Sequence, residues 1–312
     1  MRPNPLARRA LAAFTLALAG GLAFAQTKIS VGYVAIPDLT PLYVAKEQGY
    51  FDKRGLAVKL TTIPINPSIP PALQSDSIQI GTVTPSVLMQ AADGGLALRV
   101  LAGGAVLTRE GRTPAILVRK GVEIHAPKDF IGKRIGVPGF GATLHVLLRK
   151  WLMDHGVDPK QVSFVEVALP QMLDVLRGGN IDAVVPAEPF AARILKAGAG
   201  TVHAYISDDF PAEGVLPIVY GVTQSWLEKN AATAKAFREA LDEAIAFQAG
   251  NPAAARADMG KYLRLPPDVL ATLPVPRLTT AATEAQLRFW TDAMRAQGML
   301  KTPPDTAALL AH

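Results

Sequence analysis

From Lys28 onward, short runs rich in β-branched residues alternate with stretches whose apolar positions recur at helical spacing. The pattern predicts strands at 29–35, 57–62, 78–83 and 98–103, with helices at 40–48 and 86–92 between them. A second set follows. Its strands fall at 134–137, 162–167, 181–185 and 202–206, and its helices at 142–155, 169–177 and 189–197. Alternation of this kind predicts α/β layering over mainly parallel sheets, one for each set. Two further β-rich runs, 115–119 and 215–222, fall between the sets and are expected where the chain crosses from one lobe to the other. The expected units are 26–117 with 216–312 as lobe 1, and 118–215 as lobe 2. After Thr223 only helical spacing remains. Phe237, Leu241, Ala244, Ile245 and Gln248 form one stripe, and Leu287, Trp290 and Met294 another, so residues 224–312 read as a helical layer packed mainly on lobe 1.

A weak internal repeat supports two related lobes. Leu73 to Ile80 and Leu176 to Ala183 each run from a helix end through a polar turn into a strand, 103 residues apart, and each leads to a proline-containing turn that opens a new helix. Spacing alone leaves this even with a chance likeness between two βαβ units.

The first 25 residues have a different character. Arg2, Arg8 and Arg9 precede an uncharged run from Ala10 to Ala25 that ends in Ala-Phe-Ala, the order of a secretory signal cleaved after Ala25. That run is shorter than the roughly 20 apolar residues needed to span a bilayer. Its removal takes away three arginines and no acid, so the net charge falls from +6 to +3. Half of the chain's net positive charge is thus the signal's, and no Lys/Arg block longer than two residues suggests nucleic acid as a partner. With no cysteine there is no disulfide scaffold, thiol nucleophile, cysteine-based metal site or lipid-modified cysteine after the signal.

Candidate chemistry is sparse. His125, His145, His155, His203 and His312 show no metal-binding spacing, and no G-x-S-x-G elbow occurs, so neither a metal nor a cofactor is expected. The Gly136-Val-Pro-Gly139-Phe-Gly141-Ala-Thr143 stretch follows a strand and opens a helix, where free N–H groups favour anions. A tight turn with Thr143 as helix cap is the competing account. Leu144 occupies the third glycine position of a dinucleotide fingerprint, and no Walker lysine follows. The segment 82–86, with Thr84 and Ser86, is the counterpart in the first set. Three loops fall past strand carboxyl ends, where open α/β sheets bind ligands: 35–40 with Asp38 and Thr40, 186–190 with Glu188 and Phe190, and 213–217. Asp38 and Glu188 could accept from a ligand amine or hydroxyl, or serve only as caps.

The run from Leu42 to Leu56 (Leu-Tyr-Val-Ala-Lys-Glu-Gln-Gly-Tyr-Phe-Asp-Lys-Arg-Gly-Leu), then residues 128–137, then 176–183, resembles the solute-binding proteins of ABC importers for sulfonates, nitrate and taurine, and their relatives that bind thiamine pyrimidine precursors. The likeness covers most of residues 28–250. It implies a two-lobed, hinged, type II-like periplasmic-binding-protein fold with ligand in the cleft, delivering to an inner-membrane ABC permease driven by its ATPase. Ala187-Glu188-Pro189-Phe190 is similar to the acid-Pro-aromatic turn of the sulfonate and nitrate branch, with Pro186 where that branch often has Trp. The iron-associated motif of the pyrimidine-synthase relatives needs cysteines that this chain lacks.

The expected function is therefore capture of a small organic anion, a sulfonate or carboxylate with aromatic ones included, by a monomer free in the periplasm that catalyses nothing. Thr84, Ser86, Gly141, Ala142 and Thr143 would meet the anionic group, while Tyr33, Asp38, Thr40, Tyr43, Glu188 and Phe190 would shape the rest. The alternatives are a binding protein for an aminopyrimidine and, from another class, an exported enzyme using Asp38 and Glu188 as an acid–base pair.

Overall fold

A computed structural model describes residues 26–265, 267–273 and 276–311; the export signal read in residues 1–25 lies outside the described residues. The first set of elements runs β1 (Thr27–Tyr33), α1 (Thr40–Glu47), β2 (Leu56–Thr62), α2 (Ile69–Gln74), β3 (Ile80–Val83), α3 (Pro85–Asp93), β4 (Leu98–Gly103) and β5 (Ala105–Val106). The second runs β6 (Ala115–Arg119), β7 (Arg134–Val137), α4 (Thr143–Asp154), β8 (Ser163–Glu166), α5 (Met172–Arg177), β9 (Ala183–Val184), α6 (Phe190–Lys196) and β10 (Gly200–Tyr205). After β11 (Val219–Thr223) come α7 (Gln224–Lys229), α8 (Ala231–Gly250), α9 (Pro252–Leu263), α10 (Pro267–Thr272), β12 (Arg277–Leu278), α11 (Glu284–Ala296) and α12 (Thr306–Leu309).

The two sheets share one topology. In the order β2-β1-β3-β11-β4, β1 pairs parallel with β2 and β3, while β11 runs antiparallel to β3 and β4. The second sheet, β8-β7-β9-β6-β10, repeats this with β6 as the antiparallel member. Four strands in each sheet therefore point one way, and the fifth is the strand formed just after the chain crosses between lobes. The runs expected as crossings are these two antiparallel strands; the connections themselves are 107–114 and 210–218.

The repeat has a packing basis. A Cβ on Gly32 of β1 would lie 2.5 Å from Ile78 Cδ1, and one on Gly136 of β7 would lie 2.9 Å from Ile181 Cδ1. Ile78 and Ile181 are matched positions of the repeat, each closing over a central-strand glycine just before the third strand begins. Both side chains are buried, so any side chain at the glycine must displace a packed isoleucine.

The crossings lie side by side. Leu107 N–H donates to Val215 O at 2.8 Å and Val215 N–H donates back at 2.9 Å, a single antiparallel bridge between the two connections. The C-terminal layer is divided. Helix α8 packs on α1, with Phe51 and Phe237 stacked at 5.0 Å, and α9 covers α1 beside it. Helix α11 departs from the expectation of a layer mainly on the first lobe, because it contacts α3 of one lobe and α4 of the other. Its apolar stripe is wide enough for both: Leu287, Trp290 and Met294 are fully buried, and Trp290 Nε1–H donates to Leu216 O at 2.9 Å. At its end, Gln297 accepts from Arg149 Nε and donates to Val146 O, each at 3.0 Å.

Candidate functional site

A cavity of about 180 Å³ lies between the lobes, against the paired crossings. Its walls come from segments past the carboxyl ends of β1, β2, β3, β7, β8 and β9, which is where parallel strands leave unpaired backbone and room for a ligand. Aliphatic and proline side chains form most of the lining, among them Ile36, Pro64, Val106, Leu144, Leu169 and Ile218.

Of the residues singled out in the sequence, Asp38, Thr84, Ala142, Thr143 and Glu188 come together on this cavity. Asp38 enters from the first lobe on a 3₁₀ turn started by Pro37. Burial in the cleft pushes its pKa up from 3.8 to about 6, against an opposing hydrogen bond from its own backbone N–H. Glu188 faces the cavity from the second lobe. Burial raises its pKa, while Ala192 N–H donates to its Oε2 at 3.2 Å and counteracts part of that shift. Each carboxyl is thus easier to protonate than in water.

The hydroxyls are largely occupied. Thr84 caps α3, its Oγ1 accepting from Val87 N–H at 3.3 Å and lying 3.2 Å from Ser86 Oγ. Thr143 Oγ1 donates to Pro217 O at 2.7 Å, tying the start of α4 to the second crossing. Helix α4 has Ala142 at its N-cap, which provides no side-chain acceptor, so its first turn opens uncapped on the cavity wall.

The other six lie outside the lining. Ser86 is fully buried beneath Thr84. Thr40 Oγ1 donates to Pro37 O at 2.6 Å and Tyr43 Oη donates to Ile36 O at 3.2 Å, so both brace the Asp38 turn from behind. Tyr33 packs edge-on against Tyr43 at 5.7 Å in the same inner layer. Gly141 turns its N–H to His145 Nδ1, and Phe190 opens α6, half-buried against the apolar core. The alternation in β1 explains Tyr33: Ile29, Val31 and Tyr33 share the face turned to the α1 side.

Sequence reasoning missed Asn66. Its Nδ2 donates to Thr82 O at 2.9 Å and its Oδ1 accepts from Thr84 N–H at 2.8 Å, so it stitches the loop after β2 to the end of β3 inside the cavity wall. Thr108, Thr113 and Arg277 were missed as well; Arg277, at the exposed rim, also donates to Glu213 O at 2.6 Å. Among the described residues no group of three or more His, Cys, Asp or Glu is placed to hold a metal.

Two α/β lobes of one topology, joined by paired crossings around a cleft at their strand ends, define the periplasmic-binding-protein fold. The chain belongs to the NMT1/THI5-like family, whose model matches residues 36–255. It is 28% identical over 238 residues to the taurine-binding periplasmic protein of Escherichia coli strain K12, covering 76% of this chain and 72% of that one. It is 29% identical over 263 residues to the nitrate import ATP-binding protein NrtC of Synechocystis, covering 79% of this chain but only 38% of that much longer protein. The fold is shared with the alkanesulfonate-binding protein SsuA of Xanthomonas axonopodis pv. citri, solved bound to MOPS, with a TM-score of 0.78 at 19% identity over 93% of this chain and 99% of that one. Among the described residues no helix is long and apolar enough to cross a membrane.

Proposed function

We propose that this chain is the solute-binding component of an ABC importer: a periplasmic monomer, exported by the signal at residues 1–25, that captures a small organic molecule and hands it to an inner-membrane permease with its ATPase. The observation that carries this reading is the cavity enclosed by strand-end segments of both lobes, because a ligand touching both lobes stabilises the closed state by its differential contacts. No step of bond making is assigned to the site. Asp38 and Glu188 act as hydrogen-bonding walls.

A small organic anion, a sulfonate or carboxylate, fits if its acidic group lies toward the uncapped start of α4 and Arg277 while its body rests on the aliphatic lining. The raised pKa values let Asp38 and Glu188 enter such a complex protonated, as donors. A second reading is favoured by the same two carboxyls: an aminopyrimidine or other amine would donate to them in their ionised form. The readings separate by pH. Anion affinity should strengthen as pH falls through about 6, and amine affinity should weaken. Thermal unfolding with sulfonates, carboxylates and aminopyrimidines tests both, since ligand at 100 times its Kd adds about 2.7 kcal/mol. If no member of the panel raises the melting temperature at any pH, the binding reading is wrong; if only pyrimidines do, the anion is.

A further inference from the structure

The start of α4 lacks a capping side chain at its N-cap, yet the loop before it is fixed. Gly141 adopts the left-handed conformation, φ +75°, and donates its N–H to His145 Nδ1 at 2.9 Å, four residues ahead in the first turn of α4. A backbone N–H can only donate, so Nδ1 must present its lone pair and the ring proton must sit on Nε2. Nε2 is buried without a hydrogen-bond partner. The imidazole lies among apolar rings, 5.6 Å from Phe140 and 4.8 Å from Phe164, each edge-on.

This loop is where the second lobe meets the first. A Cβ on Gly139 would lie 2.9 Å from Pro67 Cδ, and one on Gly141 would lie 2.1 Å from Gln90 Oε1. Both neighbours belong to the first lobe, so the glycine backbone itself forms the seam. Pro138 and Ala142, on either side, line the ligand cavity.

We propose that His145 is a positioning residue for the cleft: as a neutral ring it holds Gly141 left-handed and so sets the 138–142 wall, and protonation of the ring releases that wall from the opposite lobe. Only the consequence, loss of captured ligand in acid, rests on the solute-binding reading. A proton added to the ring lands on Nδ1 and faces the Gly141 donor, leaving the N–H without an acceptor. Burial, helped by the nearby charge of Arg149, holds the His145 pKa down at about 4. The other charged groups facing this corner are Glu166 of β8, which accepts from Phe140 N–H at 2.9 Å, and Asp158 in the turn after α4, which acts on Arg149.

Phe140-Gly141 is the only Phe-Gly pair in the sequence, so ¹³C-carbonyl phenylalanine with ¹⁵N-glycine labels the Gly141 amide alone for NMR. In the purified protein without ligand, the Gly141 amide should shift and lose protection from exchange with a midpoint of about 4, tracking the His145 ring, whose ¹⁵N shifts should report the Nε2–H tautomer above that pH. His145→Asn keeps an acceptor that does not titrate and should leave the amide protected across the range, whereas His145→Leu should expose it at every pH. A Gly141 amide indifferent to the ring's titration, or a ring in the Nδ1–H tautomer, overturns the proposal. The wild-type titration decides this even if a variant fails to fold. No ligand enters the test, so its failure is distinct from failure of the solute-binding reading.

Discussion

Replacing Asp38 with Asn should make the protein more stable. The shift from 3.8 to about 6 means that folding moves this carboxyl where its ionised form is disfavoured. At about 1.4 kcal/mol per pKa unit, the ionised side chain costs about 3 kcal/mol above pH 6. Asp38 keeps some access to the cavity, and screening there trims the figure to about 1–3 kcal/mol. The sign follows from linkage. Between 3.8 and about 6 the folded state binds more protons than the unfolded chain, so the penalty grows as pH rises through that window and is constant above it. Asn has the same shape and no charge. Asp38→Asn should therefore raise the melting temperature at pH 7.5 by about 2–6 °C for a chain of this size. At pH 4.5 the advantage should shrink to about a third, because the wild-type carboxyl is then mostly protonated when folded. Parallel thermal melts of the two proteins at both pH values check this. An Asn variant less stable than wild type at pH 7.5, or one with equal advantage at both values, would refute the reasoning.

Other substitutions test other parts of the account. Trp290→Ala removes a fully buried indole and its bond to Leu216 O from the helix that spans both lobes, and should cost about 3–5 kcal/mol in urea unfolding; a loss under about 1 kcal/mol would contradict the role given to α11. Gly136→Val forces a side chain onto Ile181 and Val184 and should cost about 1–3 kcal/mol, with matched disruption from Gly32→Val if the two lobes share their packing rule. Thr143→Val leaves Pro217 O without its side-chain donor and should cost about 1 kcal/mol, read in the same urea series.

Strand and helix order was legible because both lobes write it with ordinary periodicities; β4, β6 and β7 fall on the expected residues, and the buried run Ile80–Val83 sits within an expected strand. Helix α2 was legible only at its end, the helix end read at Leu73. Its start is hidden by Pro70 and Pro71, which interrupt helical spacing although they occupy the first turn, where a missing N–H costs nothing. The two-residue strands β5 and β12 are too short to leave a pattern. At the site, loops past strand ends pointed to Asp38 and Glu188, because strand direction alone brings those loops together. Asn66 carried no such signal. Its partners Thr82 and Thr84 lie 16 and 18 residues away and become neighbours only when β3 pairs with β1. The lining from 106–114 was hidden for a related reason: a polar stretch containing Arg109, Glu110 and Arg112 reads as outer surface, while its Leu107, Thr108 and Thr113 turn to the cavity. Tyr33 and Tyr43 erred the other way, aromatic and close to the site but behind its wall.

Native mass spectrometry of the purified protein, before any ligand is added, shows whether the cleft between the lobes holds a solute. A small organic molecule should be bound in one-to-one ratio, retained by the wild type and diminished in an Asp38→Ala, Glu188→Ala double variant that still folds, since both hydrogen-bonding walls of the cavity are then gone. A wild-type protein that carries no small molecule and gains none from the sulfonate, carboxylate and aminopyrimidine panel at either side of pH 6 would contradict it.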